Sequence, residues 1–270
     1  MKIAFIGDIV GRPGRKIIND KLKSLISEHN IDCVIANGEN ASHGFGLTIK
    51  NCDELLSYGI DVITGGNHTW DKKKDMKVLL ESHPVLRPDN YPTEVEGKGL
   101  KIVQINGEKL AILNLMGLFC MPQVLNPFTH AIEVVDKLIE DGIKHIFVDF
   151  HAESTAEKRI MMQILKGKVS AICGTHTHVG TDDLEITNGT FYVTDIGMTG
   201  CRDNVIGMEN KIPIKKALTG IGGHFEVPNS CKTIMQIIII DIDKDGKSIS
   251  ANKIKLYNNQ SNVLSTSIIN

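Results

Sequence analysis

Five short, nearly continuous apolar runs recur along the chain: KIAFIG (2–7), DCVIAN (32–37), DVITGG (61–66), HIFVDF (145–150) and VSAICG (169–174). Each has strand length and lacks the alternation of a half-solvated strand, so each asks for cover on both faces. Amphipathic helical patterns separate them. They are PGRKIINDKLKSLISEHN; TIKNCDELLSYG, with Thr48 as N-cap and Gly59 as stop; and STAEKRIMMQILKG, which opens on a Ser154/Glu157 capping box. Such alternation predicts an α/β core.

Three further segments read as antiparallel pairs that bend at Asn-Gly or Asp-Gly: KIVQINGEKLAILNL (101–115), LEITNGTFYVTD (184–195) and TIMQIIIIDIDKDGKSISANKIKLY (233–257). Parallel and antiparallel strands together predict a mixed sheet, or two sheets packed face to face with helices outside. The run TIMQIIIIDI (233–242) suits either a buried central strand or an interface edge. At 270 residues and 41% hydrophobic content, residues 1–270 are expected to form a single domain. The Gly/Pro-rich stretch from Pro84 to Gly99 is expected to be a long surface loop.

Composition removes several function classes. Lys+Arg 30 against Asp+Glu 32 gives a formal charge of -2, so no bulk field recruits nucleic acid or an anionic membrane surface. The opening MKIAFIGDIV is too short an apolar run for a secretory signal, and no uncharged apolar stretch approaches ~18 residues. A cytoplasmic protein is expected, with its six scattered cysteines reduced.

The residue that follows each run carries the chemistry. Asp8 follows the first, Glu39 and Asn40 the second, Asn67 and His68 the third, His151 the fourth, and His176 and His178 the fifth. Ligands gather beyond the carboxyl ends of parallel strands, so these eight side chains should converge on one crevice. Any one alone reads as a turn or loop residue; the coincidence points to a site. Two first-row divalent ions need about eight to twelve ligand positions, and a bridging carboxylate, here Glu39, holds such a pair about 3.5 to 4 Å apart. No cysteine lies in these loops, which favours Fe or Mn, with catalytic Zn also compatible. In a turn, His176 and His178 would approach different ions. Thr175 and Thr177 either satisfy the loop backbone or serve the chemistry.

GDIVG (7–11), NGEN (37–40), GNHTWD (66–71), DFHAE (149–153) and GTHTHV (174–179) together resemble the calcineurin-like metallophosphoesterases, and more closely their bacterial YmdB-like branch, over about Met1 to Gly200. The wider superfamily begins Asp-x-His and continues Gly-Asp; here Val10 and Glu39 stand at those positions, as in the YmdB-like branch. The resemblance implies a four-layer αββα sandwich. It further implies that Asp8, Glu39, Asn40 and His178 hold one metal, and Glu39, Asn67, His151 and His176 the other. His68 would then be the general acid, and 2',3'-cyclic nucleotides the substrate, hydrolysed by a metal-bridged hydroxide. Two ions bring excess positive charge over Asp8 and Glu39, which supplies the attraction for phosphate that the surface lacks.

Arg12 and Arg15 are candidate contacts to substrate phosphate, or solvated residues at a helix start. Asp195 and Thr199, in TDIGMTG, are expected to line the pocket. Glu153 either orients a ligand imidazole from behind or is an exposed loop carboxylate. DIDKDG (241–246) begins like a calcium loop but has Asn252 where a bidentate Glu belongs, and reads as a hairpin turn. GDIVGRPGR does not reproduce a dinucleotide fingerprint. The other histidines (His29, His43, His83, His130, His145, His224) are expected to be structural or exposed. A phosphomonoesterase, or a metal-bound regulator acting through a protein partner, remains the alternative to a phosphodiesterase. An amidohydrolase is disfavoured because its His-x-His lies near the chain start. A homo-oligomer is compatible with the sequence.

Overall fold

The computed structural model describes residues 1–258 and 261–270. Its first half runs β1 (Lys2–Ile6), β2 (Asp8–Ile9), α1 (Gly11–His29), β3 (Cys33–Asn37), α2 (Ile49–Ser57), β4 (Val62–Thr64) and α3 (Lys73–Ser82). Next come β5 (Leu100–Ile105), β6 (Glu108–Met116), α4 (Pro127–Glu140), β7 (His145–His151), α5 (Thr155–Leu165) and β8 (Ala171–Thr175). The chain then forms β9 (Glu185–Thr187), β10 (Thr190–Val193), β11 (Met198–Cys201), α6 (Lys211–Thr219), β12 (Thr233–Ile242), β13 (Ser248–Tyr257), β14 (Val263–Thr266) and β15 (Ile268–Ile269).

Two mixed sheets result. One has the order β14-β13-β12-β1-β3-β4, with β11 joining β12 and β2; the other has the order β15-β9-β10-β8-β7-β6-β5. Strands β1, β3 and β4 run parallel, as do β6, β7, β8 and β10. The run at 233–242 is the buried central strand of the first sheet, between β1 and β13.

Alternation of side chains along each strand explains the layers. On β1, Ile3 and Phe5 face the second sheet, where Phe5 meets Phe147 edge to face with ring centres 4.9 Å apart. Ala4 and Ile6 face the other way, against Ile18, Leu22 and Leu55 of α1 and α2. Across the second sheet, Leu113 and Val148 pack outward on Val135, Leu138 and Met161 of α4 and α5. The fold is the four-layer αββα sandwich, and its strands look continuously apolar because both faces of each sheet are covered.

Local signals explain the boundaries. The Thr48 hydroxyl accepts from the Asn51 amide, and Gly59 takes φ 110° just past α2. Asn106-Gly107 and Asn188-Gly189 turn their hairpins with positive φ at both residues. At 243–247 the Asp243 carboxylate accepts from the amides of Asp245 and Lys247, both at 2.9 Å, so DIDKDG is a hairpin turn. The capping box is only half formed. Ser154 Oγ accepts from the Glu157 amide, while the Glu157 carboxylate reaches instead to the amides of Leu118 and Phe119.

Two expectations are corrected. The stretch from Pro84 to Gly99 is a loop, but its first part is interior, with Val85, Leu86, Arg87, Pro88 and Asn90 buried. Asn90 is buried and donates to the Met116 and Leu125 carbonyls, while Arg87 donates to those of Pro88, Val95 and Glu96. The cysteines are not all thiols. Cys201 is joined to Cys231 across a sequence separation of 30, a pairing invisible from spacing because β11 and β12 bring the two together only in the sheet. Residues 202–232 thus form an excursion closed at its base. On the loop-closure account a bond spanning this separation stabilises by about 3 to 4 kcal/mol. The Cys201→Ser, Cys231→Ser variant should lose that much in denaturant unfolding; an unchanged midpoint would show that the excursion is held without the bond.

Candidate metal and phosphate site

The apolar layer between the sheets turns polar along the strand direction. Ile35 is followed on the same face by Asn37, Val62 by Thr64, Ile112 by Asn114, Phe147 by Asp149 and His151, and Cys173 by Thr175. All six polar side chains are buried. Beyond them the loops bring together Asp8, Glu39, Asn40, Asn67, His151, His176 and His178, seven side chains from five segments.

His151 is the centre of this group. Its Nε2 lies 3.1 Å from Glu39 Oε1, 2.9 Å from Asn67 Oδ1 and 3.1 Å from His176 Nδ1. Its Nδ1 faces the Thr175 hydroxyl at 2.9 Å, and that hydroxyl donates to Asp149 Oδ1 at 2.7 Å. A hydroxyl has one hydrogen; having given it to Asp149, Thr175 must accept from His151 Nδ1. Nε2 is then the nitrogen presented to the cluster, the arrangement that suits a metal-ligating imidazole. Glu39, His151 and His176 offer ligand atoms all within 4.8 Å of one another.

On the other side, Asp8 Oδ2 accepts from the His176 amide, while Oδ1 is buried without a partner, 3.9 Å from His178 Nε2. A partnerless buried carboxylate oxygen beside an imidazole is what a cation site requires. Asn40 turns its Nδ2 to Glu39 Oε1 at 3.1 Å and to His178 Nε2 at 3.3 Å, so its service as an oxygen ligand needs the opposite amide face. At Gly66 a Cβ would collide with Glu39 Oε2 and His151 Nε2, which explains glycine in the floor of the site. The residues present therefore fit divalent ions.

His176 and His178 occupy a turn rather than an extended segment, with φ of 102° and 65°. They diverge accordingly. His176 lies against His151 and pairs through Nε2 with Glu153 Oε2 at 3.1 Å, while His178 donates from Nδ1 to the Ile206 carbonyl at 2.8 Å. The positive φ is unfavourable for a side chain with a Cβ and is imposed from below. Asp195 accepts from both the amide and the hydroxyl of Thr177, and is itself paired with the buried Lys158 at 2.8 Å.

His68 lies at the rim. Its amide donates to Glu39 Oε2 at 2.9 Å, its Nδ1 is 2.8 Å from Asp71 Oδ2, and its ring meets Phe45 edge to face. Asp71 occupies Nδ1, so Nε2 is the nitrogen left to serve the cavity. That cavity, of about 640 Å³, is lined by Glu39, Asn40, His68, His176 and His178 of the cluster. Phe45, Val205, Ile206, Met208, Lys216 and Phe225 line it too.

Four residues expected at the pocket sit elsewhere. Asp195 is spent on Lys158 and Thr177; Thr199 is fully buried in β11, its hydroxyl accepting from the Gln236 amide. Arg12 is exposed and borders neighbouring clefts, and Arg15 is committed to Glu54. Sequence reasoning missed Asp149, Thr64, Asn37 and Lys158. The period-two signal was available for the first three, since each shares a face with a core residue two positions earlier.

The fold is that of the calcineurin-like phosphoesterases. A 5'-nucleotidase precursor of Thermus thermophilus shares that fold at a TM-score of 0.60 and 11% identity, over 95% of this chain and 54% of that one. The match to the YmdB-like protein family spans residues 4–254, and the chain belongs to that family. It is 42% identical over 251 residues to the 2',3'-cyclic-nucleotide 2'-phosphodiesterase of Bacillus subtilis (strain 168), covering 92% of this chain and 93% of that one. A crystal structure of a novel phosphatase from Mycoplasma pneumoniae superposes at a TM-score of 0.89 with 36% identity, over 95% and 93% of the two chains. A hypothetical protein from Thermus thermophilus also reaches 0.89, at 34% identity over 96% and 100%.

Electrostatics of the cluster predict how ions enter. Burial opposes a charge on His151, but Glu39, Asp8 and Asp149 outweigh it and hold its proton up to about 9. Burial would raise Glu39, yet His151 and the His68 amide bring it down to about 2. Burial and the neighbouring His151 charge together push His176 down to about 3. A divalent ion must therefore displace the His151 proton, so affinity should climb with pH and level off above about 9. Calorimetry at neutral pH in two buffers of different ionisation enthalpy should show about one proton released per chain on Mn²⁺ binding. Heats independent of the buffer would exclude this linkage.

Proposed function

We propose that the chain is a metal-dependent phosphodiesterase acting on 2',3'-cyclic nucleotides, with two divalent ions and His68 as general acid. The observation that carries this is the convergence of seven polar side chains centred on His151, with the partnerless Oδ1 of Asp8 among them. The family supports the same reading, since the Bacillus subtilis relative is named for that reaction.

The donors divide as their positions suggest. Asp8, Asn40 and His178 would hold one ion and Asn67, His151 and His176 the other, with Glu39 between them because its carboxylate touches both Asn40 and His151. The donor set of carboxylate, amide and imidazole without thiolate favours Fe or Mn. Ions bound there supply positive charge for the phosphate oxygens and a more acidic water.

The chain's own residues do the rest. His151 holds Glu39 ionised, whereas burial raises the Asp8 carboxyl, which bound ions would bring back down; Glu153 and Asp149 fix the two imidazoles that face substrate, His176 directly and His151 through Thr175. When water adds to phosphorus and the bond to the ribose O2' breaks, His68 Nε2 gives a proton to the departing oxygen, leaving a nucleoside 3'-phosphate. The Asp71 bond and the Phe45 edge contact hold that ring in place meanwhile. Residues 1–270 work as one domain, since the two sheets share a single apolar layer that ends at the site. A cytoplasmic setting accords with this substrate; no described helix is long and apolar enough to cross a membrane.

Loss of the general acid is the direct test. His68→Ala should retain metal content by elemental analysis while kcat on 2',3'-cyclic AMP falls ~10² to 10⁴-fold. His176→Ala should lose metal itself. Full turnover by a metal-replete His68→Ala would remove His68 from the reaction. Preference for p-nitrophenyl phosphate over its bis-ester would make the enzyme a monoesterase.

A further inference from the structure

The cavity over the cluster is lopsided. Ions and phosphate need only the polar groups, yet the rest of the wall is largely apolar and aromatic, with Phe45, Met208 and Phe225, the excursion residues Val205 and Ile206, and one cation, Lys216, over the Phe225 ring. Exposed apolar surface above a charged floor suits a ligand with a flat, weakly polar part, and a nucleobase is such a part. Behind this wall lies a second cavity of about 590 Å³, which shares Phe45 and Phe225 with the first. Its titratable lining residues are Arg12, Arg15, Lys72, His43 and His224 against a single acid, Glu226. Asp71, next to Lys72 in sequence, is committed to His68, and Glu54 to Arg15. Arg12 and Lys72 thus have no acidic partner among the described residues. In a chain of formal charge -2, two unpartnered cations in a cleft beside a phosphate site are a local anion receptor.

We propose that this cleft binds a second phosphate, carried on the 5' side of the nucleotide whose cyclic phosphate lies at the cluster. The base would rest on Phe45 and Phe225, the two residues that face both cavities. A chain that continues past the terminal nucleotide then lays its next phosphate between Arg12 and Lys72. The preferred substrate is an oligonucleotide ending in a 2',3'-cyclic phosphate rather than the mononucleotide. This rests on the phosphodiesterase reading above and deepens it.

The test uses the full chain loaded with Mn²⁺ and four probes: bis(p-nitrophenyl) phosphate, adenosine 2',3'-cyclic phosphate, the same nucleotide with a 5'-phosphate, and the dinucleotide ApA ending in a 2',3'-cyclic phosphate. The dinucleotide should exceed the mononucleotide in kcat/KM by ~10-fold at low salt, the scale of one charge-assisted phosphate contact. The gap should narrow as salt rises. Arg12→Glu combined with Lys72→Glu should close it. Arg12 lies in the first turn of α1 and Lys72 at the N-cap of α3, positions where an acidic side chain suits a helix, so charge reversal leaves folding intact. A 5'-phosphorylated mononucleotide that matches the dinucleotide would assign the cleft to the phosphate itself; one that matches the plain mononucleotide would assign it to the internucleotide diester. Equal kcat/KM for mononucleotide and dinucleotide, or a preference that survives both charge reversals, would overturn the proposal and leave the phosphodiesterase intact. Turnover of bis(p-nitrophenyl) phosphate with none of any nucleotide would instead remove the cyclic-nucleotide reading beneath it.

Discussion

Asp149 is the residue on which the site rests. Its carboxylate is fully buried between the sheets and accepts from Thr64 on β4, Asn37 on β3 and Thr175 on β8. Those strands belong to both sheets, so one acceptor ties the sandwich together where its middle layer stops being apolar. Burial still raises its pKa to about 7, because the bonds only partly offset the desolvation of a carboxylate. Through Thr175 it also fixes which nitrogen His151 shows to the cluster. A buried polar network of this kind is costly unless fully satisfied, and satisfied it holds side chains in one arrangement.

The floor and the roof of the cavity are made differently. Glu39, Asn40, His151, His176 and His178 come from or follow β3, β7 and β8, strands paired on each side, while Asn67 and His68 follow β4 at the edge of the first sheet. The roof comes from the excursion between β11 and β12, whose helix α6 buries no residue of its own. What holds it are a few contacts at its margins: the Cys201–Cys231 bond, the bond from His178 to the Ile206 carbonyl, and Val227 and Met208 seated against Gly11 and Gly44. Both glycines have positive φ, and a Cβ on either would strike those side chains. Chemistry is thus placed on the stiff part of the fold, while the surface that meets the rest of a substrate sits on a part with few buried contacts.

Much of this was legible in the sequence because burial on both faces leaves a strong mark. The apolar runs, the Asn-Gly and Asp-Gly hairpins and the cap at Thr48 are local signals, and each forms where its chemistry demands. The strand-end residues were legible for a related reason, since parallel strands deliver their carboxyl ends to one edge. What stayed hidden depends on partners distant in sequence. Asp195 looked like a pocket residue because it follows a strand; only the fold shows Lys158 beneath it. Nothing in the spacing of Cys201 and Cys231 marked them as a pair, and residues 202–232 carry no period that would have marked them as a wall.

Charge explains why a slightly acidic protein can host an anion-binding centre. Asp8 and Glu39 are buried and, among the described residues, no lysine or arginine pairs with either; the cation that balances Glu39 is His151, held protonated by the very carboxylates it neutralises. That proton is exchangeable, whereas a buried arginine's charge would be permanent and would exclude a metal. Structural ion pairs lie one layer away, where Lys158 balances Asp195 beneath the histidine turn. The arrangement separates two tasks that a single buried cation could not perform together. Lys158 keeps the loop in its strained conformation whatever binds above, and His151 gives up its charge when an ion takes its place, so the cluster can pass to net positive only as the phosphate-binding charge arrives.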